Sequence, residues 1–208
     1  MVKIAPSILS ADFSNLALAL EWCEKSGADY IHVDVMDGHF VPNLTMGPDL
    51  VKSLQGIAPL DVHLMITDPS DFIEDFKNAG AEIISIHVEA NNPLKAIKLI
   101  KKHNLKAGIA LNPSTPEESI QPFVEFADMI LVMSVEPGYC GQKFHESSIQ
   151  RVKNYKRLYP DKMIEVDGGV SLSNSKKLIE SGADLLVAGS AIFKSDDPVS
   201  TIKQMKEG

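Results

Sequence analysis

His32 and Asp34 stand two residues apart in the run Tyr30-Ile-His-Val-Asp-Val-Met-Asp-Gly38. On an extended strand that spacing puts an imidazole and a carboxylate on one face, together with Met36. Leu60-Asp-Val-His-Leu-Met65 repeats the arrangement, with His63 sharing its face with Asp61 and Met65. Such groups are costly to bury unpaired on an apolar strand. Two strands that each turn a histidine inward beside a methionine point to a divalent metal held inside a closed sheet. Asp167, at the end of a further apolar run, completes a candidate ligand set of His32, Asp34, His63 and Asp167. Neutral imidazoles would bind the ion and the carboxylates would offset its charge. A single histidine near a strand end is more often a hydrogen-bonded core residue. The pair, with acids at matching strand ends, favours ligation. Asp61 and Glu165 face inward but deeper, and read as structural partners of buried polar groups. Asp12 and Asp68 read as helix caps.

A second cluster is made of glycine. Pro137-Gly-Tyr-Cys-Gly141, Asp167-Gly-Gly169 and Ala188-Gly-Ser190 follow three successive strand-like runs. Glycine lets backbone N–H groups approach an anion closely, and a phosphate is the expected ligand. Met36, Met65 and Met133 all fall at strand ends, where apolar atoms can line a site and exclude water.

These residues need elements to hold them. Short apolar runs predict strands at Ile4–Leu9, Tyr30–Val35, Leu60–Met65, Ile83–Val88, Ala107–Leu111, Met129–Met133, Met163–Val166 and Leu185–Ala188. Amphipathic stretches between them predict helices at Leu16–Lys25, Asp49–Gln55, Ser70–Ala79, Pro93–His103, Glu117–Phe126, Ser147–Leu158 and Ser173–Ser181, with Asp197–Lys206 last. Ser26-Gly-Ala-Asp29, Ala79-Gly-Ala-Glu82 and Ser181-Gly-Ala-Asp184 mark similar helix-to-strand junctions, each with a glycine suited to ending a helix. Strict alternation implies a parallel sheet with helices outside. About eight units fit the length, which predicts an α/β fold of the closed (β/α)8 TIM-barrel type, one domain over residues 1–208. A doubly wound open sheet is the alternative, but no dinucleotide fingerprint follows the first strand. In a barrel, catalytic groups sit at the C-terminal ends of strands and phosphate binds after strands seven and eight. Ser7, late in strand one, obeys the same rule.

The chain carries 28 acidic against 20 basic residues, a net charge of −8. With no basic run, nucleic acid is not an expected partner. Two distant cysteines, Cys23 and Cys140, suggest a reducing compartment rather than a disulfide framework. No signal-peptide pattern and no membrane-spanning run are evident, so a cytoplasmic protein is expected.

Six motifs together resemble the ribulose-phosphate 3-epimerase family, from end to end and in the expected order. They are Ala5-Pro-Ser-Ile-Leu-Ser-Ala-Asp-Phe13, His32-Val-Asp-Val-Met-Asp-Gly-His-Phe-Val-Pro-Asn43, Leu60-Asp-Val-His-Leu-Met65, Leu131-Val-Met-Ser-Val135 with Pro137-Gly138, Glu165-Val-Asp-Gly-Gly-Val170, and Val187-Ala-Gly-Ser-Ala191. The resemblance implies a ribulose-phosphate-binding barrel that interconverts D-ribulose 5-phosphate and D-xylulose 5-phosphate in the pentose phosphate pathway. It implies that His32, Asp34, His63 and Asp167 hold one divalent ion, with zinc first and iron(II), cobalt or manganese also suited. Asp34 and Asp167 match the acid–base pair, and Ser7 and His63 match substrate contacts. Gly138, Tyr139, Cys140, Gly141, Gly168, Gly169, Gly189 and Ser190 fall at the phosphate-gripping positions. Similar enzymes form dimers or hexamers. Cys140 stands where glycine, serine or alanine is usual, and tolerance is expected because the backbone N–H remains.

Epimerisation at C3 removes the proton beside the C2 ketone and returns one to the opposite face, which calls for two acid–base groups. The negative charge then left on the C2 and C3 oxygens, an enediolate, is where a Lewis acid is expected to act. Competing readings are an epimerase for a six-carbon ketose phosphate such as D-allulose 6-phosphate, and a non-catalytic phosphosugar-binding barrel.

Overall fold

A computed structural model describes all 208 residues. Eight strands run β1 (Lys3–Pro6), β2 (Ile31–Met36), β3 (Leu60–Met65), β4 (Ala81–His87), β5 (Lys106–Leu111), β6 (Met129–Met133), β7 (Met163–Asp167) and β8 (Leu185–Ala188). Nine helices accompany them: α1 (Leu16–Ser26), α2 (Pro48–Ser53), α3 (Ile73–Asn78), α4 (Pro93–Lys102), α5 (Gln121–Val124), α6 (Ser147–Leu158), α7 (Ser175–Glu180), α8 (Ser190–Phe193) and α9 (Pro198–Glu207). Every strand pairing is parallel, in the order β1-β8-β7-β6-β5-β4-β3-β2. A single parallel bridge, Ser7 to His32, joins the two ends of that order. The expected barrel is therefore observed, and the open sheet is not. No helix is long and apolar enough to cross a membrane.

Alternation along the strands sorts side chains into two populations. Ile4, Ile31, Val33, Val62, Leu64, Ile84, Ile86, Ile109, Ile130, Val132, Ile164, Val166 and Leu186 join the large core between sheet and helices. The alternate positions turn to the barrel interior and form layers, as the period-two geometry requires. Ala5, Tyr30, Ile83, Met129, Leu185 and Val187 make an apolar plug. Above it lie His32, Asp61, His63, Ser85, His87 and Glu165, all without solvent exposure. Met36, Val41 and Met65 pack together toward the mouth.

Several boundaries differ from the sequence expectation. The first strand stops at Pro6, and Ile8–Ser10 form a 3-10 turn instead of continuing it. Ser7 thus lies just beyond β1, where its backbone closes the ring. The helices expected to begin at Ser70 and Glu117 open with 3-10 turns, Pro69–Asp71 and Glu117–Ile120, before turning α-helical. Asp12 caps as expected, its carboxylate accepting from Ser14 N–H at 2.9 Å. Asp68 makes no cap bond and accepts from Asn91 Nδ2 at 3.0 Å instead.

The loop after β2 is pinned by one carboxylate. Asp37 accepts from the N–H groups of His39 and Phe40 at 2.8 Å, and from Thr67 N–H beyond β3 at 2.8 Å. Partial burial pushes its pKa up, but the three N–H donors outweigh that and bring it down to about 2. A folded value below the unfolded one gives stabilisation that is complete above about pH 4 and is lost as pH falls toward 2. Asp37→Asn should lower Tm by a few degrees at pH 7. Calorimetry across a pH series should show the gap from wild type narrowing below pH 4; a gap independent of pH would disprove this origin.

Candidate active site

β2 and β3 pair in register, with Asp34 opposite His63 and His32 opposite Asp61. That register converts two i, i+2 spacings into one cluster. Asp34 accepts from Ser7 Oγ at 2.7 Å through Oδ2 and lies 3.2 Å from His63 Nδ1 through Oδ1. Asp167, at the end of β7, brings its Oδ2 to 3.7 Å from His63 Nδ1 and 4.0 Å from His32 Nε2. One donor atom from each of His32, Asp34, His63 and Asp167 lies within 4.8 Å of all the others.

The donor set fits a divalent cation. His32 Nδ1 lies 2.6 Å from Asp61 Oδ2, so its N–H is directed there. Its Nε2 is buried without a hydrogen-bond partner and has Asp34 Oδ1 at 3.4 Å. A ring nitrogen freed this way, with carboxylates around the same point, is the arrangement a metal ligand requires. Electrostatics agree. Burial alone would lower the His32 pKa, yet the charges of Asp61 and Asp34 raise it well above its ordinary value. The pocket attracts positive charge strongly enough to overcome desolvation.

The two aspartates are driven apart. Burial would raise Asp34, but the charge of His32 and hydrogen bonds from the imidazoles take it far below the usual carboxylate range. Burial and the neighbouring Asp34 charge push Asp167 up to about 7. One site therefore holds an ionised carboxylate beside a group able to hold a proton at neutral pH.

Asp61 and Glu165 lie beneath, as their deeper inward positions suggested. Glu165 Oε1 is 3.6 Å from His32 Nδ1, and neither carboxyl oxygen of Glu165 has a hydrogen-bond partner. Burial, then the Asp61 charge, raises its pKa well above the ordinary value, which favours its protonated form. These two residues and His32 form a second group able to approach a cation. The Nδ1–H of His32 already occupies that group, so it serves to orient the ring.

A pocket opens above the cluster. Ser7, Asp34, Met36, Met65, Met133, Gly138, Tyr139, Cys140, Gly141, Asp167, Gly168, Gly169, Gly189 and Ser190 all line it. The expected floor, apolar wall and glycine rim thus converge on one mouth. His63 is fully buried and does not line this pocket. Leu9, Ser10 and Gln142 line the pocket without having been expected there. Gln142 donates to the carbonyls of Glu136 and Tyr139 and braces the glycine loop.

The sequence reading also missed His87. It ends β4, is fully buried, and lies against His63. Burial brings its pKa down to about 4 despite the opposing bond to Glu89. Glu89 is itself lowered to about 2, because bonds from His87 and Thr115 outweigh its partial burial. The strand-end rule that singled out His32 and His63 applied equally to His87.

A (β/α)8 barrel with a buried His/Asp donor cluster below a glycine-rimmed pocket is the architecture of a barrel enzyme able to hold a cation beneath an anionic substrate. The ribulose-phosphate 3 epimerase family model matches residues 3–193. The ribulose-phosphate 3-epimerase of Bacillus subtilis (strain 168) is 47% identical, over 99% of both chains. The chloroplastic ribulose-5-phosphate-3-epimerase of Arabidopsis thaliana is 44% identical, over 99% of this chain and 76% of that protein. The chain belongs to the ribulose-phosphate 3-epimerase family and is an isomerase. Among solved structures, KGPDC from Streptococcus mutans superimposes with a TM-score of 0.77 at 15% identity, covering 100% of this chain and 96% of that one. That likeness is one of fold.

The rim tolerates little added volume. Gly169 has φ +63°, and a Cβ there would stand 2.8 Å from the backbone nitrogen of Phe144. Gly169→Ala should destabilise the protein by about 1–3 kcal/mol through overpacking. It should also raise KM for a phosphorylated substrate more than it lowers kcat. An unchanged Tm and KM would show that the rim yields freely.

Proposed function

We propose that the protein interconverts D-ribulose 5-phosphate and D-xylulose 5-phosphate, with Asp34 and Asp167 moving the proton at C3. The observation that carries this reading is the convergence of Asp34 and Asp167 at the floor of one glycine-rimmed mouth, with their proton affinities shifted in opposite directions. Asp34, ionised, accepts the C3 proton, and Asp167 delivers its own proton to the other face of the same carbon. In the reverse direction the roles exchange. Side-chain exposure of Asp167 is 14%, which leaves it a path for exchanging its proton with solvent. Ser7 Oγ, bonded to Asp34 Oδ2, fixes the direction from which that carboxylate acts. Met36, Met65 and Met133 keep water away from the carbanionic centre. Backbone N–H groups along Gly138–Gly141, Gly168, Gly169, Gly189 and Ser190 hold the phosphate. Binding energy gathered there positions C3 between the two acids.

His32, Asp34, His63 and Asp167 would hold one divalent ion, whose positive charge would stabilise the negative charge arising on the C2 and C3 oxygens. Zinc is our first assignment, and the same ligands suit iron(II), cobalt and manganese. We assign the enzyme to the cytoplasm as a homo-oligomer.

Turnover of D-ribulose 5-phosphate in D2O should give D-xylulose 5-phosphate carrying deuterium at C3, read by NMR. A faster reaction with D-allulose 6-phosphate would move the assignment to the six-carbon substrate. Asp34→Asn and Asp167→Asn should each reduce turnover by at least roughly 10²–10⁴-fold while circular dichroism stays that of the wild type. Near-normal turnover by either variant refutes the two-acid scheme.

Cys140 lies exposed on the rim. The grip there uses main-chain donors, so Cys140→Gly should change KM only modestly. A large fall in kcat would assign the thiol a part in the chemistry.

A further inference from the structure

His87 is fully buried and lies outside the four-residue donor cluster. Its Nε2 is 2.8 Å from Nε2 of His63, and the two rings stack with centroids 5.0 Å apart. Two lone pairs, or two N–H groups, would repel at that separation, so a single hydrogen lies between them. His87 Nδ1 is 3.2 Å from Glu89 Oε2. Glu89 is anchored in turn: its Oε1 accepts from Asn112 N–H at 2.9 Å and from Thr115 Oγ1.

Followed from Glu89 inward, these contacts assign the hydrogens in sequence; without an ion the Asp34 carboxylate competes from the other end for a hydrogen on His63 Nδ1. The Glu89 carboxylate only accepts, so His87 carries its hydrogen on Nδ1. Nε2 of His87 is then a lone pair, and the shared hydrogen belongs to His63 Nε2. His63 is left with a lone pair on Nδ1, the atom that lies 3.2 Å from Asp34 and 3.7 Å from Asp167. We propose that His87 and Glu89 are positioning residues that set the tautomer of His63 so that Nδ1 is free to bind a divalent cation. The inference rests on the metal reading above. Glu89 reaches His63 only through His87, and neither residue lines the pocket. Their effect is therefore on the ligand, not on the sugar.

Glu89→Gln tests this without changing shape. The backbone N–H of Asn112 can only donate, so the amide oxygen stays there and the NH2 group turns toward His87. His87 must then accept at Nδ1 and carry its hydrogen on Nε2, which forces the His63 hydrogen onto Nδ1. Zinc affinity, measured on the full chain by competition with a chromophoric chelator, should fall by roughly 10–100-fold. In zinc-loaded wild type, 15N NMR should show His87 protonated at Nδ1. Tight zinc binding by the wild type with an unchanged dissociation constant in Glu89→Gln overturns this inference alone. A wild type that takes up no zinc overturns the metal reading and this inference with it. Should Glu89→Gln fail to fold, His87→Gln and His87→Leu decide the matter. Glutamine keeps an acceptor for His63 and should bind zinc nearly as the wild type does, and leucine should bind far more weakly. Equal affinities in those two variants overturn the proposal.

Discussion

Polar groups sealed inside a sheet that has closed on itself can be satisfied only by one another. His32, Asp61, His63, His87 and Glu165 all have no solvent exposure and are gathered inside the barrel. Each isolated charge there would be expensive, so every group must be paired, neutral or turned toward an incoming ion. The structure uses all three solutions. His32 pairs with Asp61, burial and the Asp61 charge favour protonated Glu165, and His32 Nε2 is left free beside the carboxylates. The remaining site residues sit above this buried group. Burial raises the proton affinity of both Asp34 and Asp167, but the His32 charge and the imidazole contacts take Asp34 down, and the Asp34 charge adds to the rise at Asp167.

Rigidity comes from the layers on either side. The apolar plug of Ala5, Tyr30, Ile83, Met129, Leu185 and Val187 closes the interior below, and the helix-facing core holds each strand in register from outside. A one-residue slip of β3 against β2 would send His63 into the helix layer and an apolar neighbour into the interior. The strand register and the donor geometry are therefore a single constraint. The rim has a different character: it is built from loops. Cys140 is exposed there, and Gly169, pressed against Phe144, cannot easily gain a side chain.

Much of this was legible in the chain because strands have a period of two. The spacings of His32 with Asp34 and of Asp61 with His63 gave their shared face, and strand-end logic added Asp167. The same periodicity placed Asp61 and Glu165 deeper, where they are found. What could not be read was set by contacts between distant segments. Ser7 was expected inside a strand because its neighbours are apolar, yet the chain turns at Ile8 once the ring has closed on His32. Asp68 looked like a cap by position, but Asn91 across the loop claims its carboxylate. His63 lies fully buried beside Asp34, a depth the strand pattern alone did not give. His87 was overlooked although His87-Val-Glu89 repeats the i, i+2 spacing, because no methionine neighbour marked its face.

The two histidines of the donor cluster are oriented in different ways. His32 is oriented by a direct carboxylate contact with Asp61 at 2.6 Å. No carboxylate orients His63 from behind: the β4 neighbour opposite it is Ser85, and its outer nitrogen meets His87. A second imidazole carries the same instruction one strand further, to Glu89, where the loop after β5 supplies the anchoring donors. Two imidazoles from adjacent strands are thus held by hydrogen-bonded chains of different length. The longer one ends at partly exposed Glu89, which joins the orientation of buried His63 to a loop at the barrel's edge.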